Sequence, residues 1–436
     1  MSKTPCDVSK FIFFNAKKKT KVILCNGDNM IINETLATPV MGEYDAIVVG
    51  AGPAGCGAAL ALGRSGLKTL LIEKFNCLGG AWTTGFMNPF FDFENKSGIV
   101  NELVLELKAY NQFGGFWDKS FNYEYMKWIL EKKMQEAGVE VLYNTTFSKT
   151  LVEGKKVYGI VAENIGGRFA ALAKTVVDCT GDGSVAASAG CPFELGENGD
   201  YKQCQAMTLM FLVGNIPEKY KDGMMIYEKL NAAYEKAGKE IPFKVPYLIP
   251  APNSHFGVVQ FTHMYEYNPL DAKALTQATM EGRAQLMDAF QFLKEYDEEF
   301  KDLELITSSS VLGVRESRRI IGEYCITKED IFNGSKFEDA VAYVTFVADI
   351  HTKSNKGQHV FHVKPYHIPM RALLPKGYEG IVVAGRCISG EREAMASYRV
   401  TGNCAQMGEN AGYYIAESIN KNIPILDVKL KFELTL

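Results

Sequence analysis

The chain of 436 residues is 47% hydrophobic, 11% aromatic and 22% charged, with 40 glycines. That ordinary globular composition excludes wholesale disorder, a collagen-like repeat and a small disulfide scaffold. A formal net charge of −4, from 47 basic and 51 acidic residues, leaves no general basic excess to bind nucleic acid, and none is expected as a partner.

Length predicts two or three domains, since single cores stop growing well before this size. Residues 1–43 are polar and read as an N-terminal extension with one strand near Lys21 to Cys25. The only early apolar run, Phe11 to Phe14, is followed at once by Asn15 and Lys17 to Lys19. It is too short for a signal peptide or for the roughly 20 residues of a transmembrane helix, so a soluble cytoplasmic protein with no membrane partner is expected. Tyr44 to Val49 then reads as a strand, Gly50 to Gly55 as a turn, Cys56 to Gly63 as a helix and Lys68 to Ile72 as a second strand ending at Glu73. This is a βαβ unit.

A loop-rich stretch (75–95) leads to helices at about 97–112 and 122–137. The second carries Tyr125, Met126, Ile129, Leu130 and Met134 at helical spacing, and Gly138 closes it before a strand at Val139 to Tyr143. Residues 147–177, punctuated by Gly154, Gly159 and Gly166-Gly167, predict a small antiparallel meander. From 192 to 375 strands are mixed with a long helix near 271–297, whose Leu275, Ala278, Leu286, Phe290 and Leu293 share one side. A buried-type strand at Ile381 to Ala384 and a helix at about 400–419 end the pattern. The expected fold is α/β, a Rossmann-like dinucleotide domain (parallel sheet plus β-meander) built from 44–191 and 376–424. A mixed α+β substrate or cap domain (192–375) is inserted, and 425–436 is a tail.

The strongest motif is Gly50-Ala51-Gly52-Pro53-Ala54-Gly55, a G-x-G-x-x-G between strand and helix. Gly50 permits the tight turn, Gly52 lets backbone approach a pyrophosphate, and Gly55 with Ala59 permits close helix packing. The diphosphate would meet unpaired N–H groups at the positive helix end. Glu73 stands 23 positions after Gly50, where a carboxylate can accept from ribose hydroxyls. Gly79-Gly80 offers a second close approach, Val176 to Gly183 runs a strand into a small-residue turn, and the closing strand reaches Gly385-Arg386. These favour FAD over NAD.

On these blocks the chain resembles the FAD-dependent oxidoreductases with the glutathione-reductase-type FAD-binding fold. More narrowly, it is similar to the bacterial FAD-dependent oxidoreductase family. The resemblance spans about 43–424 and rests on Y-D-A-I-V-V-G-A-G-P-A-G (44–55), I-E-K with L-G-G (72–80) and D-C-T-G-D-G (178–183). It also rests on G-V-R-E-S-R-R-I-I-G (313–322), D-I-H (349–351), I-P-M-R-A-L-L-P-K-G (368–377) and V-A-G-R-C-I-S-G (383–390), with Ser397, Arg399 and Val400. It implies that Gly50, Gly52, Pro53, Ala54, Gly55, Glu73, Lys74, Gly79, Gly80, Thr180, Gly181, Asp182, Gly385 and Arg386 bind FAD. Backbone near Val141 would meet the adenine. A helix starting near Gly402 and Asn403 would aim its positive end at the pyrimidine edge of the flavin. In the family pattern a histidine precedes the residue matching Glu393. Here it is Arg392, so non-covalent FAD is expected.

For chemistry, the resemblance turns Arg315 of the cluster Arg315, Glu316, Arg318 and Arg319 inward, where a guanidinium suits a carboxylate. His351 is the candidate acid or base, with His367 second, and Tyr398 and Arg399 lie near the expected flavin edge. No metal site is expected. The ten cysteines include no C-x-x-C pair, Cys56 and Cys77 lack redox-pair spacing, and Cys387 and Cys404 read as buried thiols. The expected activity is hydride transfer between flavin and a small organic substrate, for which Arg315 allows a carboxylate or another anion, by a dehydrogenase, oxidase or reductase. An NAD(P)H-fed monooxygenase and a non-catalytic redox sensor are the alternatives. NAD(P)H or another electron partner, and a homo-oligomer, remain open.

Overall fold

The computed structural model describes residues 21–24, 30–220, 226–354 and 356–434. The expected Phe11 to Phe14 run, the lysine run, Cys6 and Cys25 lie outside them. The α/β class is the one observed. A seven-stranded sheet runs in the order Glu140–Leu142, Thr69–Ile72, Val40–Val49, Gly167–Asp178, Lys156–Asn164 and Thr146–Glu153, with Ile381–Val383 also pairing Gly167–Asp178. Val40–Val49 is parallel to both its neighbours. Its first residues extend the strand beyond the expected Tyr44: Val40 and Met41 are exposed, and Gly42 and Glu43 cut them off from the apolar run that follows.

The predicted meander is not a separate unit. Gly167 to Leu172 pair antiparallel with Gly159 to Asn164, as expected. The same strand then continues, and Val176 to Asp178 pair parallel with Ile381 to Val383. One strand therefore serves both the meander and the parallel sheet, and its last four residues are buried. The helices Gly98–Ala109 and Tyr123–Glu136 match expectation, the second capped by the Asn122 side chain on the Glu124 N–H. Tyr125 departs from its predicted buried face and is exposed.

A second core lies apart from the sheet. The strands Tyr247–Pro250, Gly257–Gln260, Phe211–Gly214 and Glu304–Ser308 form an antiparallel sheet against the helix Ala272–Tyr296. Leu286, Ala289 and Leu293 of that helix bury with Phe211, Leu230, Phe243, Phe261 and Phe300. Small residues complete the buried stripe at Ala278, Gly282 and Ala289, while Leu275 and Phe290 sit half-buried on its flanks.

The two ends of the chain meet through helices. Pro53–Arg64 lies against Thr401–Lys421, and glycines set the contact. A Cβ at Gly408 would fall 2.0 Å from the Ala54 carbonyl oxygen, one at Gly57 would fall 2.3 Å from that of Ala405, and one at Gly412 2.7 Å from Ala61 Cβ. No larger residue fits without parting the helices. Gly408→Val is therefore expected to cost on the order of 3 kcal/mol by overpacking. Thermal unfolding checks this, and an unchanged midpoint would contradict the packing described.

Candidate active site

The helix Pro53–Arg64 begins where the central strand ends. Gly50 has φ +94°, and a Cβ there would lie 2.7 Å from the Cys179 carbonyl oxygen. A Cβ at Gly55 would lie 1.9 Å from the Gly50 oxygen, so both glycines are required by the fold. Gly52 is different. Its Cβ would meet nothing within 4 Å, and no side chain caps the helix it opens. The first helical N–H groups, Pro53 having none, thus face an open cradle, which suits a diphosphate.

Two features close this cradle. The buried Glu73 carboxylate accepts from the Ala51 N–H at 2.7 Å and the Phe75 N–H at 3.0 Å, fixing it at the end of the strand Thr69–Ile72. The Gly79 N–H donates to the Ala51 oxygen at 2.8 Å, and a Cβ on Gly80 would fall 2.9 Å from Gly52 Cα. Val141 pairs with Leu71 beside the Glu73 strand. Lys74 is exposed, its Nζ 5.0 Å from the Phe75 ring.

The opposite wall is knit by ionic contacts. Asp182 accepts from Arg386 Nη2 at 2.6 Å and from Ser317 Oγ at 2.7 Å. Burial works against its charge, but Arg386 and Ser317 hold its pKa below the usual carboxylate range. Arg386 lies over Gly181, where a Cβ would fall 2.4 Å from Nη1. Asp178, quoted within its motif but given no role, is fully buried; it accepts from the Val185 and Ala186 N–H groups and so starts the helix Ser184–Ala189. Thr180 Oγ1 donates to Asp178 Oδ1 at 2.7 Å. The Gly385 N–H points at the Met407 sulfur.

At the C-terminal helix, Gly402 answers a protein contact, since a Cβ would lie 2.5 Å from the Phe91 carbonyl oxygen. Asn403 is the informative residue. Its side chain is fully buried, and neither Oδ1 nor Nδ2 has a hydrogen-bond partner; Thr401 Oγ1 is likewise unpartnered. An unmet buried amide is costly. A group carrying both donors and acceptors, such as the ring edge of a flavin, would satisfy it at the positive end of this helix.

The charged cluster adjoins these walls through consecutive residues. Ser317 reaches Asp182, Glu316 Oε2 accepts from the Gln205 N–H at 3.1 Å, and Arg315 Nη1 donates to the Ala206 oxygen at 2.7 Å and Thr208 Oγ1 at 2.6 Å. Arg399 donates to the Asp349 carbonyl at 3.0 Å and lies 4.0 Å from its carboxylate. His351 Nε2 lies 3.0 Å from Asp349 Oδ2, and His351 Nδ1 lies 3.0 Å from His263 Nε2. Burial, then Arg399, presses the Arg315 guanidinium down to about 9, still a cation at neutral pH. Burial, then Arg315, holds His351 down to about 4. Burial opposes the Asp349 charge, but His351, Arg399 and Arg315 keep its carboxyl below its usual range.

Arg315, His351 and Arg399 are thus brought together. Tyr398 is not: its hydroxyl donates to the Ile388 carbonyl at 3.0 Å, against Gly390. His367 accepts from the Phe337 N–H elsewhere. Arg318 and Arg319 are engaged by the Asp182 carbonyl and by Glu316. Sequence reasoning missed His263, Gln205 and Thr208, which no local pattern marks. The eight described cysteines are all free and seven are buried. Burial pushes the Cys56 and Cys404 thiols up to about 12.

A family model described as FAD dependent oxidoreductase matches residues 45–433, and the chain belongs to that family. It is a flavoprotein whose cofactor is FAD. Over 119 residues it is 38% identical to thiamine thiazole synthase of Aeropyrum pernix, covering 27% of this chain and 43% of that protein. Over 161 residues it is 34% identical to digeranylgeranylglycerophospholipid reductase of Methanocella arvoryzae, covering 32% of this chain and 39% of that one. The matches thus span less than half the length of these relatives. A solved geranylgeranyl bacteriochlorophyll reductase-like protein of Thermoplasma acidophilum is similar at 15% identity and TM-score 0.47, covering 87% of this chain and 80% of that one. Among the described residues no helix is long and apolar enough to cross a membrane.

Because nothing protein-borne lies within 4 Å of a Cβ at Gly52, Gly52→Val is expected to leave apo-protein unfolding unchanged. It should weaken FAD binding about tenfold or more, since the side chain would occupy the cradle. Equilibrium binding followed by flavin fluorescence checks this, and unaltered affinity would place the diphosphate elsewhere.

Proposed function

We propose that this FAD-dependent oxidoreductase moves a hydride between a small organic anion, a carboxylate above all, and the flavin. The observation that carries this reading is the unbalanced charge around Asp349. Arg315 and Arg399 both act on that one carboxylate, and Arg399 presses on Arg315. Two cations against one anion leave a positive charge in a largely buried site. Glu316 also acts on Arg399, but it is shared: Oε1 takes Arg319 at 2.6 Å and Oε2 takes the Gln205 N–H, with Arg392 at 3.6 Å, and the further partners of Arg319 and Arg392, Glu194 and Glu197, are exposed. A buried unpaired charge is costly, and an anionic ligand would offset it. Both Arg315 hydrogen bonds leave from Nη1, so the other edge of its fork is not used by them. That edge suits two-point recognition of a carboxylate.

In this reading the residues from Gly50 to Gly55, with Glu73, Lys74, Gly79, Gly80, Val141, Thr180, Gly181, Asp182, Gly385, Arg386, Gly402 and Asn403, hold FAD. Residues 44–191 and 376–424 form its domain, and 192–375 the cap over the substrate. Bound FAD supplies the two-electron acceptor or donor. The chain supplies the rest: Arg315 and Arg399 orient the anion, and His351 with Asp349 takes or returns the proton.

The test is anaerobic titration of the flavin-loaded protein with hydroxy acids, amino acids and enoates beside their esters and amides. Carboxylates are expected to bleach or re-oxidise the flavin, or to perturb its spectrum, while neutral analogues do not. Arg315→Met should weaken carboxylate binding roughly 30-fold, as expected for loss of a charge-assisted hydrogen bond. In the direction that oxidises substrate, neutral His351 is the active form, so kcat/KM should fall only well below the ordinary histidine range near pH 6.5. Arg315→Met removes a charge that depresses His351, and should move this acid limb upward. Equal response to acids and esters would overturn the proposal.

A further inference from the structure

Three hydrogen-bond contacts run in series through the interior. The Phe261 carbonyl oxygen lies 2.9 Å from His263 Nδ1, His263 Nε2 lies 3.0 Å from His351 Nδ1, and His351 Nε2 lies 3.0 Å from Asp349 Oδ2. His263 and His351 are 1% and 2% exposed. A carbonyl oxygen only accepts, so His263 Nδ1 carries a hydrogen, and neutral His263 presents a bare Nε2 to His351. The Asp349 carboxylate at the other end also only accepts. Filling three links requires three hydrogens, whereas two neutral imidazoles carry two. The array is therefore one proton short, and its atoms already stand at hydrogen-bond distance for the filled state.

The geometry points to a one-proton store in which His263 is a positioning residue. It is pinned by Phe261 as an acceptor, so that a doubly protonated His351 is held between two acceptors, His263 Nε2 and Asp349 Oδ2. This rests on the proposed hydride transfer only for the use of the proton. In substrate oxidation the proton enters at the open Asp349 end and is stored on His351, whose two ring nitrogens both lie within the array. An N–H bond forms, the substrate–hydrogen bond breaks, and its electron pair stays on the substrate. The hydride departs with a second pair to the flavin, so the substrate loses two hydrogens and two electrons. The Phe261 carbonyl ends the array and cannot pass the proton outward. Asp349 Oδ1, which has no hydrogen-bond partner, is the open end.

In the free chain the surroundings of the array, Asp349 excepted, favour the empty store. Burial above all, then Arg315 and, less, Arg399, disfavours a cation at His351 against the pull of Asp349. Burial, then Arg315 and His351, keeps His263 neutral. Phe243 stacks on the His263 ring at 3.8 Å and Tyr265 stands 6.0 Å away. A cleft of about 360 Å³ borders His263, and its charges are matched: Lys239 pairs with Asp288, Lys356 with Glu240, Lys353 with Glu266, and Glu281 bonds Tyr267. An anion seated on Arg315 and Arg399 would remove the repulsion and let the store fill. Substrate binding would thereby make neutral His351 a stronger acceptor for the substrate's own proton.

The test is nitrogen-15 NMR of histidine-labelled, flavin-loaded protein titrated with acid, without substrate. His263 is expected to keep its hydrogen on Nδ1 with a bare Nε2 throughout, while His351 passes from one hydrogen to two. His263→Phe, which keeps the stack on Phe243, should lower the His351 pKa by about one to two pH units through loss of a charge-assisted hydrogen bond. His263→Gln, which retains an acceptor, should restore most of it, and the acid limb of kcat/KM should move in parallel. A hydrogen on His263 Nε2, or a His351 pKa unmoved in His263→Phe, would overturn the store. Intact NMR behaviour without any response to carboxylates would instead reject the proposed substrate class.

Discussion

The structure depends on one close helix contact. Pro53–Arg64 and Thr401–Lys421 approach until the backbone of one touches the glycines of the other, at Gly57, Gly408 and Gly412. Neither helix could reach this distance with ordinary side chains at those positions. The contact joins residues more than 300 positions apart and fixes two helix N-termini, one at Gly52 and one at Val400, on the same body. Each N-terminus carries a partial positive charge and an uncapped end. An extended dinucleotide with an anionic middle and an electron-accepting end is the cofactor this arrangement suits.

A second economy lies in the segment Arg315-Glu316-Ser317. Three consecutive side chains reach three destinations: Arg315 the Ala206 carbonyl and Thr208, Glu316 the Gln205 N–H and Arg319, and Ser317 the Asp182 carboxylate. The cofactor wall and the charged cluster are therefore coupled by covalent backbone. Arg399 does the same from the other side, since it ends the turn that leads into the C-terminal helix while donating to Asp349. The charged cluster around Arg315 and Arg399 is thus held in register with the Asp182 wall by short links.

Local signals were legible in the sequence, and long-range ones were not. The βαβ unit could be read because glycine spacing, strand, helix and Glu73 lie within about thirty residues, and the structure shows each glycine of the turn constrained by a neighbour or by open space. The role of Gly167–Asp178 in two sheets could not, since a strand carries no mark of how many partners it will have. Val40 and Met41 are apolar but exposed, and Gly42 and Glu43 separate them from the run Tyr44 to Val49. Tyr398 was drawn in by its adjacency to Arg399, but the helical turn carries its hydroxyl to Ile388. His263, 88 positions from His351, has no spacing signal at all and gains meaning only when Phe261 and His351 flank it.

In the proposed reading, one positive charge in excess, shared by Arg315 and Arg399, waits for an anion beside the flavin. A crystal structure of the flavin-loaded protein with a non-oxidisable small carboxylate tests it most directly. The carboxylate is expected on both guanidinium groups, near His351 and against the flavin ring. A carboxylate bound elsewhere, or Arg315 and Arg399 covered by the cofactor itself, would contradict it.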